Sequence, residues 1–218
     1  MKKLVIFDLD GTLLNTIEDL GHATNHALKQ AGLATHTMAS YPFMVGNGVR
    51  RLIERALPED NRDEATIETM LKNFKEYYDE HNTDCTRPYN GIPELLELLR
   101  DMGVKLAVAS NKYQHAVDKI ISHYFPDINF VAVEGQRDGM NVKPDPSIVF
   151  NVLAKAKVPK SDVLYVGDSG IDMETARRAC VDSVGVTWGF RPLKELVDNY
   201  AGTIVNMPNE IADIVSKG

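Results

Sequence analysis

The chain has 218 residues, 44% of them apolar, and sets 24 Lys and Arg against 31 Asp and Glu for a net charge of −7. So much apolar content excludes wholesale disorder, and an acidic chain without a basic stripe is unsuited to nucleic acid or anionic lipid. The two cysteines, Cys85 and Cys180, are too few and too far apart for a disulfide framework or a metal-spaced pair and read as reduced thiols.

The first element is the apolar run Leu4 to Phe7, stopped by Asp8. It is too short for a signal-peptide core, and no stretch approaches membrane-spanning length, so a soluble cytoplasmic protein is expected. A short apolar run bounded by turn residues suits a strand buried on both faces. Three helical patterns follow with no strand between them. Ile17, Leu20, Ala27 and Leu28 mark the first, Leu52, Ile53 and Ala56 the second, and Ile67, Met70, Leu71, Phe74 and Tyr78 the third. Their three-and-four spacing is that of amphipathic helices.

From Pro88 onward the pattern alternates. A helix opening at Pro93 and closing at Gly103 precedes a strand over Val104 to Ala109. Then come a helix around Ala116 to Tyr124, a strand at Phe130 to Val133, a helix around Ile148 to Ala156 and a strand at Val163 to Val166. A helix at Ile171 to Ala179 leads to a strand at Ser183 to Val186. A helix near Leu193 to Val197, a short strand at Thr203 to Val205 and a helix at Ile211 to Val215 finish the series. Alternating strands and helices imply right-handed crossovers and one parallel sheet. The expected fold is α/β, a Rossmann-like parallel sheet with helices on both faces, formed by residues 1–15 and 88–218. An all-helical cap, residues 16–87, is inserted into it.

Three polar clusters fall at the carboxyl ends of expected strands, where ligands of open parallel sheets bind. They are Asp8 with Asp10, Ser110-Asn111-Lys112, and Gly167-Asp168-Ser169 with Asp172. A fourth, Lys143-Pro144-Asp145-Pro146, precedes a helix. Asp, Asn, Ser and Gly are also ordinary turn and cap residues, and Asp172 equally suits the first turn of a helix.

Taken in order, Asp8-Leu9-Asp10-Gly11-Thr12-Leu13, Ser110-Asn111, Lys143-Pro144 and Gly167-Asp168-Ser169 with Asp172 resemble the four motifs of the haloacid dehalogenase superfamily. The resemblance spans essentially the whole chain. It implies a phosphatase in which Asp8 is the nucleophile and Asp10 the general acid/base, with Ser110 and Lys143 completing the catalytic set. A second carboxylate at Asp10 fits phosphate-ester chemistry better than dehalogenation. The oxygen-only set of Asp8, the Asp10 main-chain carbonyl and Asp168 suits Mg2+. Asp172 and Ser169 would stand behind it, orienting a bound water or Lys143. Gly11 and Thr12 would turn backbone N–H groups toward phosphate oxygens.

Val45-Gly46-Asn47-Gly48, Ala109-Ser110-Asn111-Lys112 and Gly185-Val186-Thr187-Trp188-Gly189 further resemble the phosphoglycolate phosphatase branch. Asn15 departs from it, standing where many relatives carry Asp. A pyrophosphatase, a sugar-phosphate phosphatase or mutase, and a non-catalytic binding protein on the same fold are the alternatives. The glycines of residues 46–48 do not form a dinucleotide fingerprint, since Arg51 occupies the third glycine position. Asn111, Arg50 and Arg191 are candidate substrate contacts, with Arg50 the first choice for a second anionic group. The expected partner is a small phosphorylated metabolite, with no nucleic acid or membrane, and the protein is expected to be a monomer or homodimer.

Overall fold

A computed structural model describes every residue from Met1 to Gly218. The apolar run Leu4–Phe7 forms β1, wholly buried at all four positions. Strand side chains alternate between faces. Leu4 and Ile6 therefore join one apolar cluster while Val5 and Phe7 join another. The same alternation splits Leu106 and Val108 from Ala107 and Ala109, and Leu164 and Val166 from Val163 and Tyr165. This is why the strands read as continuous apolar runs rather than alternating ones.

The next two strands are pairs of residues, β2 (Leu14–Asn15) and β3 (Arg87–Pro88), joined antiparallel to each other. They bracket α1 (Ile17–Gln30), α2 (Val49–Ala56) and α3 (Glu64–His81), with 3-10 turns at Met38–Phe43 and Glu59–Asn61. Asp63 caps α3, its carboxylate accepting the Thr66 N–H at 3.0 Å. Such a cap is worth about 1 kcal/mol. Ile67, Met70, Leu71, Phe74 and Tyr78 are the buried stripe of α3. Buried Asp19, near the start of α1, accepts the N–H groups of Cys85 and Thr86 at 2.9 and 2.8 Å and the Thr86 hydroxyl at 2.7 Å. One carboxylate thus holds the outgoing and returning chain together.

The rest alternates as expected: α4 (Ile92–Asp101), β4 (Lys105–Tyr113), α5 (Gln114–Tyr124), β5 (Phe130–Gln136), α6 (Ser147–Ala156), β6 (Val163–Gly167), α7 (Gly170–Ala179), β7 (Asp182–Val186), α8 (Leu193–Asp198), β8 (Thr203–Val205) and α9 (Asn209–Lys217). Six strands form one parallel sheet in the order β5-β4-β1-β6-β7-β8. The chain runs outward from β1 to β5, then resumes on the other side at β6, so the topology switches beside β1. A crevice outside the carboxyl ends of strands opens at such a point.

β4 runs four residues beyond the expected Ala109. Ser110, Asn111 and Lys112 lie in its irregular end, where the step from Ala109 to Tyr113 is matched on β5 only by Glu134 to Gln136. A bulge of this kind re-aims side chains, and all three are buried at the cavity described below. No helix is long and apolar enough to cross a membrane.

Candidate active site

β1, β4 and β6 deliver their polar termini to one point. A cavity of about 50 Å3 lies there, lined from the sheet side by Asp8, Asp10, Ser110, Lys143 and Asp168, and from the helical segment by Gly46, Gly48, Val49 and Tyr78. Lys143 is the hub. Its side chain is 2% exposed, and the ammonium sits 2.8 Å from Asp8 Oδ1 and 2.7 Å from Asp172 Oδ1. It also donates to the Ala109 carbonyl at 3.0 Å and the Tyr165 hydroxyl at 3.2 Å. Burial alone would lower its pKa, but Asp172 and then Asp8 hold it well above the usual lysine range, so it stays charged.

Asp172 fills both roles that its sequence position allowed. As the third residue of α7 it closes a capping box with Ser169, whose hydroxyl donates to Oδ2 at 2.6 Å. Its other oxygen meets Lys143. Asp10 accepts from the Thr16 hydroxyl at 2.6 Å and pairs with Lys112 at 2.9 Å, both on Oδ1. Asp168 accepts the Phe190 N–H at 2.7 Å. The loop that supplies this donor follows β7, and its Trp188 indole N–H donates to the Thr12 carbonyl at 3.0 Å.

Oxygens of Asp8, Asp168 and Asp172 all lie within 4.8 Å of one another. Burial, then Asp172, pushes the Asp8 carboxyl up to about 7 against Lys143. Burial, Asp172 and Asp8 together hold Asp168 well above the carboxylate range. The cluster is short of positive charge, and every donor is a hard oxygen. That is the fit expected of a site for a small divalent cation.

Several expected contacts are redirected. The Gly11 and Thr12 amides are committed to the turn itself, donating to Leu14 and Leu9 carbonyls at 2.9 and 3.3 Å. The amides of Leu9 and Asp10 have no such backbone bond. Gly11 is instead required for its φ of +90° and because a Cβ there would strike the Asp168 carboxylate. Asn111 uses its amide on main chain, donating to the Gly46 and Lys143 carbonyls at 3.0 and 3.2 Å and accepting the Lys143 N–H at 2.7 Å. It positions Lys143 and the glycine loop rather than offering donors to a ligand. Arg50 is not at the cavity. It faces away on α2, 41% exposed, bound by Glu54, Glu64 and Glu68 at 3.3, 2.5 and 2.7 Å. Arg191 does line the cavity and donates to the Val45 carbonyl at 2.8 Å. Lys112, given no role of its own in the sequence, is the cation that reaches Asp10.

A parallel sheet with aspartates at adjoining strand ends around a buried lysine defines the class. The chain belongs to the haloacid dehalogenase-like hydrolases, whose family model matches residues 5–186. Within that family it is similar to proteins named phosphoglycolate phosphatase. One from Agrobacterium fabrum is 34% identical over 100% of this chain and 96% of its own length. One from Aquifex aeolicus is 29% identical over 98% and 96%. A solved structure from Lactobacillus delbrueckii subsp. bulgaricus, provisionally assigned as a phosphoglycolate phosphatase, superposes with a TM-score of 0.92 at 32% identity, covering 99% of both chains.

Proposed function

We propose that this protein is a Mg2+-dependent phosphatase that hydrolyses phosphoglycolate through a phosphoryl group carried on Asp8, with residues 16–87 as a cap over the site. The observation that carries the reading is the placement of Asp8. Its Oδ1 is held by Lys143 at 2.8 Å, which leaves the second oxygen to attack phosphorus from a cavity lined by both segments. Mg2+, held by Asp8, Asp168 and the Asp10 carbonyl, would neutralise phosphate charge that these carboxylates would otherwise repel.

The chain's own groups account for the remaining chemistry. The Asp8 carboxylate forms the bond to phosphorus as the ester oxygen departs. Asp10, with one oxygen fixed by Thr16 and Lys112, gives that oxygen a proton and later takes one from the water that cleaves the phosphoryl-enzyme. The Ser110 hydroxyl and the free Leu9 and Asp10 amides hold the phosphoryl oxygens, and the Lys143 ammonium, its donors already engaged, adds fixed positive charge beside them. The named relatives favour phosphoglycolate over a sugar phosphate.

Phosphate release from phosphoglycolate tests this. Asp8→Asn should abolish turnover, and Asp10→Asn should lower it by roughly 10²–10⁴-fold. EDTA should silence the enzyme, Mg2+ should restore it, and Ca2+, with its looser coordination, should not. Near-normal turnover in either variant, its fold checked by circular dichroism, removes the mechanism.

A further inference from the structure

Three cations line the cavity: Lys112, Lys143 and Arg191. A substrate with an anion beyond its phosphoryl group needs one of them with a donor to spare. Lys143 has none, being enclosed by Asp8, Asp172, the Ala109 carbonyl and the Tyr165 hydroxyl. Arg191 braces the Val45 carbonyl at 2.8 Å, with its Nε 3.8 Å from Glu195, so its guanidinium keeps donors to spare, but none of its contacts is with Asp10.

Lys112 differs. Its ammonium touches Asp10 Oδ1 at 2.9 Å and the Tyr78 hydroxyl at 2.9 Å. An ammonium has three donors, so one remains. Its side chain is only 4% exposed, and Nζ lies 4.8 Å from the centre of the Tyr78 ring. Tyr78 is fully buried on α3, so its hydroxyl fixes Lys112 from the helical side of the cavity.

Position argues for the same residue. Asp10 has to reach the ester oxygen that leaves with the organic half of the substrate. In a phosphorylated 2-hydroxy acid the carboxylate is a single carbon away from that oxygen. A cation already in contact with Asp10 therefore stands beside the carboxylate as well. Resting on the phosphatase reading above, we propose that Lys112 is the specificity-determining residue that receives the substrate's carboxylate, with Tyr78 holding its ammonium in place.

The test compares phosphoglycolate with 2-hydroxyethyl phosphate, which has the same length and a neutral end. Wild type should prefer phosphoglycolate. Lys112→Met removes support from Asp10 on both substrates, so the readout is the ratio of the two losses in kcat/KM. That ratio should be about 10- to 150-fold, the range for one charge-assisted hydrogen bond. The excess loss should fall mainly on KM, because the carboxylate is held alike in ground and transition states. Lys112→Arg should restore part of the preference, and Tyr78→Phe should reduce it in the same direction. Should Lys112→Met not fold, these two variants carry the same ratio. Equal losses on both substrates, or a wild type that does not distinguish them, overturn the assignment of Lys112 while leaving a phosphatase. A wild type inactive on every phosphate ester overturns the phosphatase reading and this one with it.

Discussion

Removing the divalent cation should make the folded protein lose stability as pH rises, and Asp8 sets the size of the effect. Its carboxyl is pushed from 3.8 to about 7, first by burial and then by Asp172, with Lys143 opposing. A shift of about 3 units at about 1.4 kcal/mol per unit amounts to about 4 kcal/mol. Below pH 3.8 the group is protonated in both folded and unfolded chains and contributes no penalty. Between 3.8 and 7 the unfolded chain has released the proton while the folded one retains it. Stability therefore falls as pH rises, and the full penalty is reached above pH 7. Urea unfolding in EDTA from pH 4 to 8, wild type minus Asp8→Asn, reads this group together with the part of the Asp168 shift that Asp8 causes. The difference should decline by about 4 kcal/mol across the range, leaving Asp8→Asn the more stable protein at pH 8. Saturating Mg2+ should flatten the decline for wild type, since the cation supplies the charge that the carboxylates lack. Parallel wild-type and Asp8→Asn curves in EDTA would refute the claim that burial and like charge crowd this carboxylate.

Two further substitutions separate surface from site. Arg50→Ala should leave kcat/KM for phosphoglycolate unchanged and shift unfolding by no more than about 1 kcal/mol, because the pairs it loses with Glu54, Glu64 and Glu68 are partly exposed; enzyme assay and urea titration check both. Gly189→Ala should disable the enzyme, because a Cβ there would overlap Asp168 and the Gly11 carbonyl. Overpacking of this kind costs about 1–3 kcal/mol, and weakened Mg2+ binding by calorimetry should accompany the lost turnover.

Much of the fold was legible because strands buried on two faces leave a continuous apolar signature. Leu4–Phe7 and Val163–Gly167 were found almost to the residue. Helices with a single buried stripe, such as α3, were equally plain. What escaped had no period to read. β2 and β3 are two residues each and exist only through each other. The 3-10 turn at Met38–Phe43 contains Pro42 and repeats no pattern. The apolar signature of β4 stops at Ala109 because Ser110, Asn111 and Lys112 are polar. Burial of three polar residues in a strand makes sense only once a cavity is known to face them.

The candidate site divides along the same line. Asp8, Asp10, Ser110, Asp168 and Asp172 could be grouped from the sequence because sheet topology alone carries them to one edge. The cations could not be sorted that way, since a cation's availability depends on which anions reach it through space. Arg50 follows the glycine loop closely in sequence, but α2 buries Leu52, Ile53 and Ala56 and leaves Arg50 on its outer side. There Glu64 and Glu68, from a different helix, enclose it. Lys112 looked like the tail of a polar cluster, yet Asp10 and Tyr78, far away in the chain, hold it at the cavity. A lysine's anions and hydroxyl partners arrive from separate elements, so only tertiary structure tells an occupied cation from one with a donor to spare. A place at the cavity beside Asp10 is what shifts the carboxylate-binding part from Arg50 to Lys112.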